Sequence, residues 1–253
     1  MRNILLTIAY DGTNFCGWQR QTDFRTVQGE LENALSVAAG HPVTIEGCSR
    51  TDSGVHANGQ QATLILEDGG IPTENIPRAA NDILAFDKLE GIGDIKILSA
   101  KEMPEGFHAR HDAKGKRYIY KICNAPDKSP FRRTMFYQVA KPLDIEVMKK
   151  AAESIVGTHD FKSFETSGST VYETTVRTVY KLDILKDGDM VTISIEGDGF
   201  LYNMVRIIVG TLVEVGLHKL NADDIEKIIE SKDRGNAGHT APPQGLYLDE
   251  VFY

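Results

Sequence analysis

A polar loop in the first quarter of the chain carries an aspartate that could act as a nucleophile. The run SRTDSGVHA at 49–57 follows a predicted strand, and loops of this kind often carry reactive groups. Arg50 can keep the carboxyl group of Asp52 ionised, and a carboxylate can attack a sugar carbon or an activated ring. The alternative is a simple turn, because Asp-Ser-Gly is common turn chemistry. Asp52 is therefore a candidate nucleophile.

A second candidate region, 106–133, combines basic and aromatic residues. Its acidic residues number two, against eight basic ones: Arg110, Lys114, Lys116, Arg117, Lys121, Lys128, Arg132 and Arg133. Phe107, Tyr118, Tyr120 and Phe131 are interleaved with them, and rings beside guanidinium groups suit stacked bases and phosphates. The alternative is a solvated face. Tyr118 and Tyr120 are two residues apart on one predicted strand, so we expect both to be core or both to be available.

A third candidate is Arg206, which interrupts the apolar run 200–215. A charge within an apolar helix is costly unless it is paired. A buried carboxylate is its natural partner, and this carboxylate could belong either to an active site or to a structural ion pair.

Several familiar site types are absent from the sequence. Gly12 and Gly17 have the spacing of a phosphate-binding loop, but Trp18-Gln19 replaces its Lys-Ser/Thr pair. The Gly-Asp-Gly at 197–199 lacks the third glycine of a dinucleotide loop, and there is no HExxH, PCxxC or GxSxG motif. These patterns disfavour metal, nucleotide and acyl-enzyme chemistry.

Composition indicates an ordinary globular protein of 253 residues with a net charge of -8. Three widely spaced cysteines without a CxxC pair favour a reducing compartment, which predicts a cytoplasmic location. The longest apolar stretch is too short and too polar to span a bilayer, so we expect no membrane association.

The elements that must position these residues alternate between strands and helices. The pattern predicts a strand at 3–10, a helix from Thr26 to Gly40, a polar loop at 49–59 and a buried helix at 200–215. The fold class is therefore α+β, with two related α/β halves around one long sheet. We place the halves at 1–105, with the aspartate loop, and 106–253, with the basic segment and the buried helix.

Six sequence blocks, in order, resemble the bacterial tRNA pseudouridine synthase A family. They are YDGTNFCGWQRQ (10–21), RTDSGVHA (50–57), FHARHDAKGKRY (107–118), GTHDFKSF (157–164), GFLYNMVRIIVG (199–210) and APPQGLYLDEV (241–251). The resemblance spans nearly the whole chain, and the RTDxGVHA block is the most specific of the six. Ser53 and Pro243 stand where alanine is common in the family.

The resemblance implies an isomerase that converts uridine to pseudouridine at nucleotides 38, 39 and 40 of the tRNA anticodon stem-loop. It implies a homodimer without a cofactor or a metal. Its halves would be ferredoxin-like (RNP-like) and would share a mostly antiparallel mixed sheet with helices on one side and a central cleft. Asp52 would be the nucleophile, Arg50 would help to extract the base, Tyr118 would pack on the uracil and Arg206 would be the partner of Asp52. Arg110, Lys116 and Arg117 would bind tRNA.

Two other functions stay open at this point. One is an RNA-binding module without activity, which would have no use for the pair of Asp52 and Arg206. The other is a nucleoside or glycoside hydrolase, which needs a second carboxylate, and Asp198 is the candidate. Whether Asp52 attacks C6 of the ring or C1′ of the ribose is left open by the sequence.

Overall fold

The structure is a computed structural model that describes residues 1–86, 91–127, 129–166 and 173–253. Its strands are β1 (Arg2–Tyr10), β2 (Ile45–Gly47), β3 (His56–Leu66), β4 (Ile95–Met103), β5 (Gly115–Cys123), β6 (Tyr137–Gln138), β7 (Gly157–Asp160), β8 (Val176–Asp187), β9 (Met190–Gly197) and β10 (Leu246–Phe252). Its α-helices are α1 (Val27–Ala39), α2 (Ile76–Leu84), α3 (Ile145–Glu153), α4 (Met204–Gly216) and α5 (Ile225–Ser231).

The chain forms two compact units. The first comprises Met1–Lys114 and Tyr247–Tyr253, and the second comprises Gly115–Leu246. These limits differ from the predicted halves, 1–105 and 106–253. Residues just beyond 105 bond to the first unit, since the Ala109 N–H donates to Thr63 Oγ1 at 2.7 Å. The last strand, β10, pairs in parallel with β3.

The first unit is built on the strand order β4-β1-β3-β10, and β2 also pairs with β3. β1 runs antiparallel to both β3 and β4. Helices α1 and α2 pack on each other, and α2 packs on β4. Alternate residues of β1, such as Ile4, Leu6 and Ile8, are fully buried, which is the period expected when one face of a strand meets the core.

The second unit has the antiparallel order β5-β9-β8-β7, and the short strand β6 pairs in parallel with β5. Helices α3 and α4 pack on each other. α4 is buried along nearly all of its length, as its apolar sequence predicts. Within the described residues, no helix has the length and apolar character needed to cross a membrane.

Several elements match the sequence predictions. The α+β class with a large, mostly antiparallel mixed sheet is confirmed, as are the strand at 3–10 and the helix that follows Thr26. The Thr26 side chain accepts a hydrogen bond from the Gly29 N–H, and Gly40 ends α1 in the left-handed region with φ 76°. A threonine cap followed by a terminal glycine is the usual pair of helix boundaries.

Two predicted boundaries are wrong. The loop predicted at 49–59 ends at Val55, because β3 begins at His56; Ala57, for example, already pairs with Tyr10 of β1. The helix predicted from residue 200 begins at Met204, because Asn203 adopts the left-handed conformation with φ 61°. Tertiary pairing decided the first boundary and backbone conformation decided the second.

The cap of α1 generates a stability prediction. Thr26→Ala removes the side-chain acceptor for the Gly29 N–H and should lower the free energy of unfolding by about 1 kcal/mol. Thr26→Ser keeps an acceptor at the same place and should retain most of that stability. Urea unfolding of the two variants measures the difference, and an equal loss in both would contradict the capping role.

Candidate active site

Asp52 lies in the eight-residue loop 48–55, between β2 and β3. Its side chain is half-buried, whereas that of Arg50 is exposed. The Val55 N–H donates to the Asp52 carbonyl at 3.1 Å. Gly54 in this turn has φ 78°, a conformation that glycine adopts without steric cost. The aspartate therefore stands in a tight turn, which the Asp-Ser-Gly composition favours, and other residues of the first unit hold this loop in place.

Gln60, on β3, holds the beginning of the loop. The Gln60 side chain is fully buried. Its Nε2 donates to the Ser49 carbonyl at 2.8 Å, and its Oε1 accepts from the Ser49 N–H at 3.3 Å. One amide thus pairs with both backbone groups of a residue three positions before Asp52. A buried amide paired in this way fixes the entry of the chain into the loop.

The end of β1 and the segment that follows it hold the residues on either side of Asp52. The hydroxyl groups of Tyr10 and Thr51 are 2.7 Å apart, and the Trp18 N–H donates to the Thr51 carbonyl at 3.0 Å. On the other side, the Ser53 Oγ donates to the Phe15 carbonyl at 3.0 Å. Both neighbours of Asp52 are therefore tied to one segment, which limits the motion of the aspartate backbone.

Two glycines allow this segment to approach the loop at backbone distance. A Cβ on Gly12 would stand 2.0 Å from the Val55 carbonyl oxygen, and one on Gly17 would stand 2.7 Å from the Thr51 carbonyl oxygen. Gly17 also has φ 84°. The spacing that resembles a phosphate-binding loop thus serves to pack one backbone against another.

A buried histidine completes the contact between these two segments. The Gly12 N–H donates to Nδ1 of His56 at 3.0 Å, and His56 is almost fully buried. Its ring stacks on Tyr247 of β10, with centroids 4.7 Å apart. Burial, together with the nearby charge of Asp11, raises the pKa of Tyr247 to about 12. His56 therefore connects the end of the loop to a strand from the far end of the sequence.

In the second unit, Arg206 lies in the first turn of α4 with a half-buried side chain. Its Nη1 donates to Oδ1 of Asn203 at 2.7 Å, and its Nε donates to the Ala241 carbonyl at 2.8 Å. Two neutral oxygens thus bind the guanidinium within the unit. Burial raises the pKa of the Tyr120 phenol well above its usual value, while the positive charge of Arg206 opposes that rise. The guanidinium therefore influences the phenol of Tyr120 on β5.

The two tyrosines of β5 differ in environment, contrary to the expectation that they would be both core or both available. Tyr120 is fully buried, and its hydroxyl donates to the Pro242 carbonyl at 2.7 Å. Tyr118 is only half-buried and meets the edge of the Phe200 ring, with centroids 5.2 Å apart. Of these two rings, Tyr118 is thus the one with exposed surface.

The predicted basic segment is divided between the two units. Arg110 is exposed in the first unit, and Lys116 lies half-buried on β5 of the second. Arg117 forms an ion pair with Glu196 on β9 at 3.4 Å, so Glu196 compensates part of its positive charge within the second unit. The Phe131 ring is 93 % exposed. Lys128 lies outside the described residues.

Asp198, the candidate second carboxylate of a hydrolase, has a structural contact. Its Oδ1 accepts a hydrogen bond from the Thr178 N–H at 3.0 Å, at the end of the pairing between β8 and β9. Its backbone N–H donates to the Thr178 carbonyl at 3.1 Å. In the described part of the chain, no cluster of three or more histidine, cysteine or carboxylate side chains could hold a metal ion.

A comparison with protein families identifies the chain. A sequence model described as tRNA pseudouridine synthase matches residues 6–112 and 151–253. These ranges include the Asp52 loop, the segment 12–17 between Gly12 and Gly17 (the glycine segment) and α4. The chain belongs to this family.

Curated relatives agree with the family over the full length. Proteins called tRNA pseudouridine synthase A from Thermoanaerobacter sp. (strain X514) and Acetivibrio thermocellus are each 48% identical over 253 residues, covering 100% of both chains. The relative from Clostridium acetobutylicum is 43% identical with the same coverage. A solved structure of a Cbf5-Nop10-Gar1 complex aligns at a TM-score of 0.39 and 12% identity, over 97% of this chain and 48% of that one.

The structure also brings forward residues that the sequence analysis did not place in the site. Gln60, Tyr10 and Trp18 hold the Asp52 loop, and Asn203 holds Arg206. The sequence did indicate three of them, because Tyr10 and Trp18 lie in the first of the six family-like blocks and Asn203 lies in the fifth. Gln60 lies outside every block, and no sequence pattern indicated it.

The contact at Gly12 generates a prediction for the loop. Gly12→Ala should destabilise the protein by about 1–3 kcal/mol, because the new Cβ must displace the Val55 carbonyl or its own backbone. Thermal or urea unfolding measures the loss. Gly70→Ala is the matched control, since its Cβ would meet no atom closer than 3.7 Å. If both variants unfolded like the unmodified protein, the close contact would not be a constraint.

Proposed function

We propose that this protein isomerises uridine to pseudouridine in tRNA, with nucleotides 38, 39 and 40 of the anticodon stem-loop as its targets. The observation that carries the proposal is the family membership of a chain whose Asp52 stands on a loop clamped from both sides. A clamped loop with a half-buried carboxylate is the arrangement that a positioned nucleophile needs.

The reaction is a rearrangement within one nucleotide. The bond between N1 and C1′ breaks, the base turns, and a bond between C5 and C1′ forms; C5 loses its proton and N1 gains one. Atoms and electrons balance without an oxidant, a reductant or water. The proposed chemistry therefore requires no cofactor and no metal, and its central demand is a carboxylate that is ionised when the base arrives.

Asp52 is the proposed nucleophile, and its attack on either C6 of the ring or C1′ of the ribose fits the geometry of a fixed loop. Arg206 is its proposed partner, because a guanidinium near a carboxylate favours the ionised form. Asp52 belongs to the first unit and Arg206 to the second, so their convergence is part of the proposal. Arg50 is proposed to help draw the base out of the stack, and its exposed side chain is consistent with that role.

Tyr118 is the proposed platform for the extracted base. Base extraction costs a few kcal/mol, and stacking on an aromatic ring returns about 1–3 kcal/mol. Of the two tyrosines on β5, Tyr118 has the exposed surface that stacking requires. Arg110, Lys116 and Arg117 are proposed to contact tRNA phosphates, and the ion pair between Arg117 and Glu196 makes Arg117 the weakest of the three candidates.

Two further parts of the proposal concern the protein in the cell. A homodimer is proposed from the resemblance to the family. A cytoplasmic location is proposed because Cys16, Cys48 and Cys123 form no disulfide within the described residues, as is usual in reducing compartments.

The decisive experiment replaces the nucleophile. Asp52→Asn should lower turnover by at least about 10³-fold, since the amide cannot attack as a carboxylate does. Binding to tRNA should stay within about twofold, because the amide keeps the size of the side chain. Carbodiimide labelling followed by primer extension maps pseudouridine on a tRNA with uridines at 38, 39 and 40.

Asp68→Asn is the matched control, because Asp68 is an exposed carboxylate in the same unit. It should leave product formation unchanged. Product from pure Asp52→Asn at the rate of the control would refute the nucleophile. Release of free uracil by the unmodified protein would favour a hydrolase, and tight tRNA binding without product would favour an RNA-binding module.

Tyr118 generates a second functional prediction. Tyr118→Phe should keep kcat/KM within about threefold, whereas Tyr118→Ala should lower it by about tenfold to hundredfold, because the ring face supplies the stacking energy. Tyr180→Ala, on the exposed side of β8, should have little effect. Equal losses in the Phe and Ala variants would assign the role to the hydroxyl group instead.

A further inference from the structure

The residue before α4 has an unusual backbone conformation. Asn203 has φ 61° and ψ 6°, in the left-handed region. Asparagine adopts this region more readily than most residues, but the conformation still needs a reason. An asparagine at this position usually caps the helix. Within the described residues 173–253, however, the Asn203 side chain makes no capping bond to α4.

The Asn203 side chain binds Arg206 instead. Its Oδ1 accepts from Nη1 of Arg206 at 2.7 Å, and its Nδ2 donates to Oγ1 of Thr166 at 3.1 Å. The Thr166 N–H in turn donates to the Tyr202 carbonyl at 3.2 Å. Since the amide bonds at both ends, its orientation is determined: the oxygen faces the guanidinium and the nitrogen faces the hydroxyl.

A second anchor for Arg206 comes from the segment 238–241. The Ala241 carbonyl accepts from Nε of Arg206, and the Ala241 N–H donates to the Arg206 carbonyl at 3.0 Å. This segment lies directly on α4, because a Cβ on Gly210 would stand 1.7 Å from the His239 carbonyl oxygen. The backbone of Ala241 is therefore a fixed acceptor for the arginine.

Further bonds along one side of α4 secure the segment. The Gly238 N–H donates to Thr211 Oγ1 at 2.9 Å, and both the N–H and Nδ1 of His239 lie within 3.0 Å of Glu214 Oε1. Burial would raise the pKa of Glu214, but the hydrogen bonds from His239 hold it below its usual value. The Ala241 anchor thus belongs to the helix scaffold itself, while Asn203 is an added side-chain anchor.

We infer that Asn203 is a positioning residue that fixes the plane of the Arg206 guanidinium through its left-handed backbone and its side-chain oxygen. The bonds at Nε and Nη1 hold two of the three nitrogens of a planar group, so the direction of the third is determined. The inference rests on the proposed function, in which Arg206 acts on the nucleophile Asp52. In this left-handed conformation the Asn203 side chain bonds to Arg206 and makes no capping bond to α4.

Asn203→Gly separates the backbone from the side chain. Glycine accepts the left-handed conformation without strain, so the variant should fold, but it lacks the oxygen that binds Nη1. We expect kcat on tRNA to fall at least about tenfold, with KM and tRNA binding within about twofold, because a misaligned catalytic group affects the transition state more than binding. Thr166→Val, which removes only the anchor of the amide, should lower kcat in the same direction by about threefold.

His218→Gly is the matched control. His218 is another non-glycine residue in the left-handed region, with φ 55°, and lies two residues after the opposite end of α4. Its substitution should leave kcat unchanged. If Asn203→Gly were as active as His218→Gly, or if Thr166→Val lost no activity, Asn203 would be a backbone feature only and the inference would be wrong.

A double-variant cycle shows whether Asn203 acts through Arg206. If it does, Asn203→Gly should add little to the loss already caused by Arg206→Lys, because the group that it positions is gone. If the fold-losses in kcat of the two single variants multiplied in the double variant, the two residues would act independently and the inference would be wrong. The Asp52→Asn result would still support the proposed function in that case. Full activity of Arg206→Lys would instead overturn the proposed role of Arg206, and the inference with it.

Discussion

The structure of the candidate site depends on the direct contact between two backbone segments. Residues after β1 approach the Asp52 loop so closely that a Cβ on Gly12 would overlap the Val55 carbonyl. Hydrogen bonds from this segment reach Thr51 and Ser53, on both sides of the aspartate. Because packed interiors resist displacement, the loop keeps one backbone conformation, and a carboxylate on such a loop is placed before any substrate arrives.

The same design recurs at Arg206 in the second unit. A charge near an apolar helix must be compensated by hydrogen bonds, and here the acceptors are an asparagine oxygen and a backbone carbonyl. These two neutral acceptors fix the orientation of the guanidinium. An arginine proposed to act on a carboxylate needs such a fixed geometry, because its effect on the carboxylate depends on their separation. Both candidate groups thus depend on backbone atoms that no sequence motif describes directly.

The helix boundaries and the strand period were predictable because they depend on local interactions. Thr26 and Gly40 delimit α1, and the apolar alternation of β1 matches its buried face. The start of β3 was not predictable, since His56 to Gly59 are polar or small residues that join a strand only because β1 and β10 pair with them. The unequal burial of Tyr118 and Tyr120 was also hidden, because it depends on Pro242 and Gly245, which are distant in sequence.

The sequence by itself determined the α+β class, the family resemblance and the choice of Asp52, Arg206 and Tyr118 as candidate functional groups, because each depends on residue type and order. Only the tertiary structure decided what holds them: Gln60 and the glycine segment for the loop, and Asn203 with Ala241 for the arginine. The physical reason is that hydrogen bonds and steric contacts between distant residues depend on three-dimensional distances, whereas a motif records only which residues are neighbours along the chain.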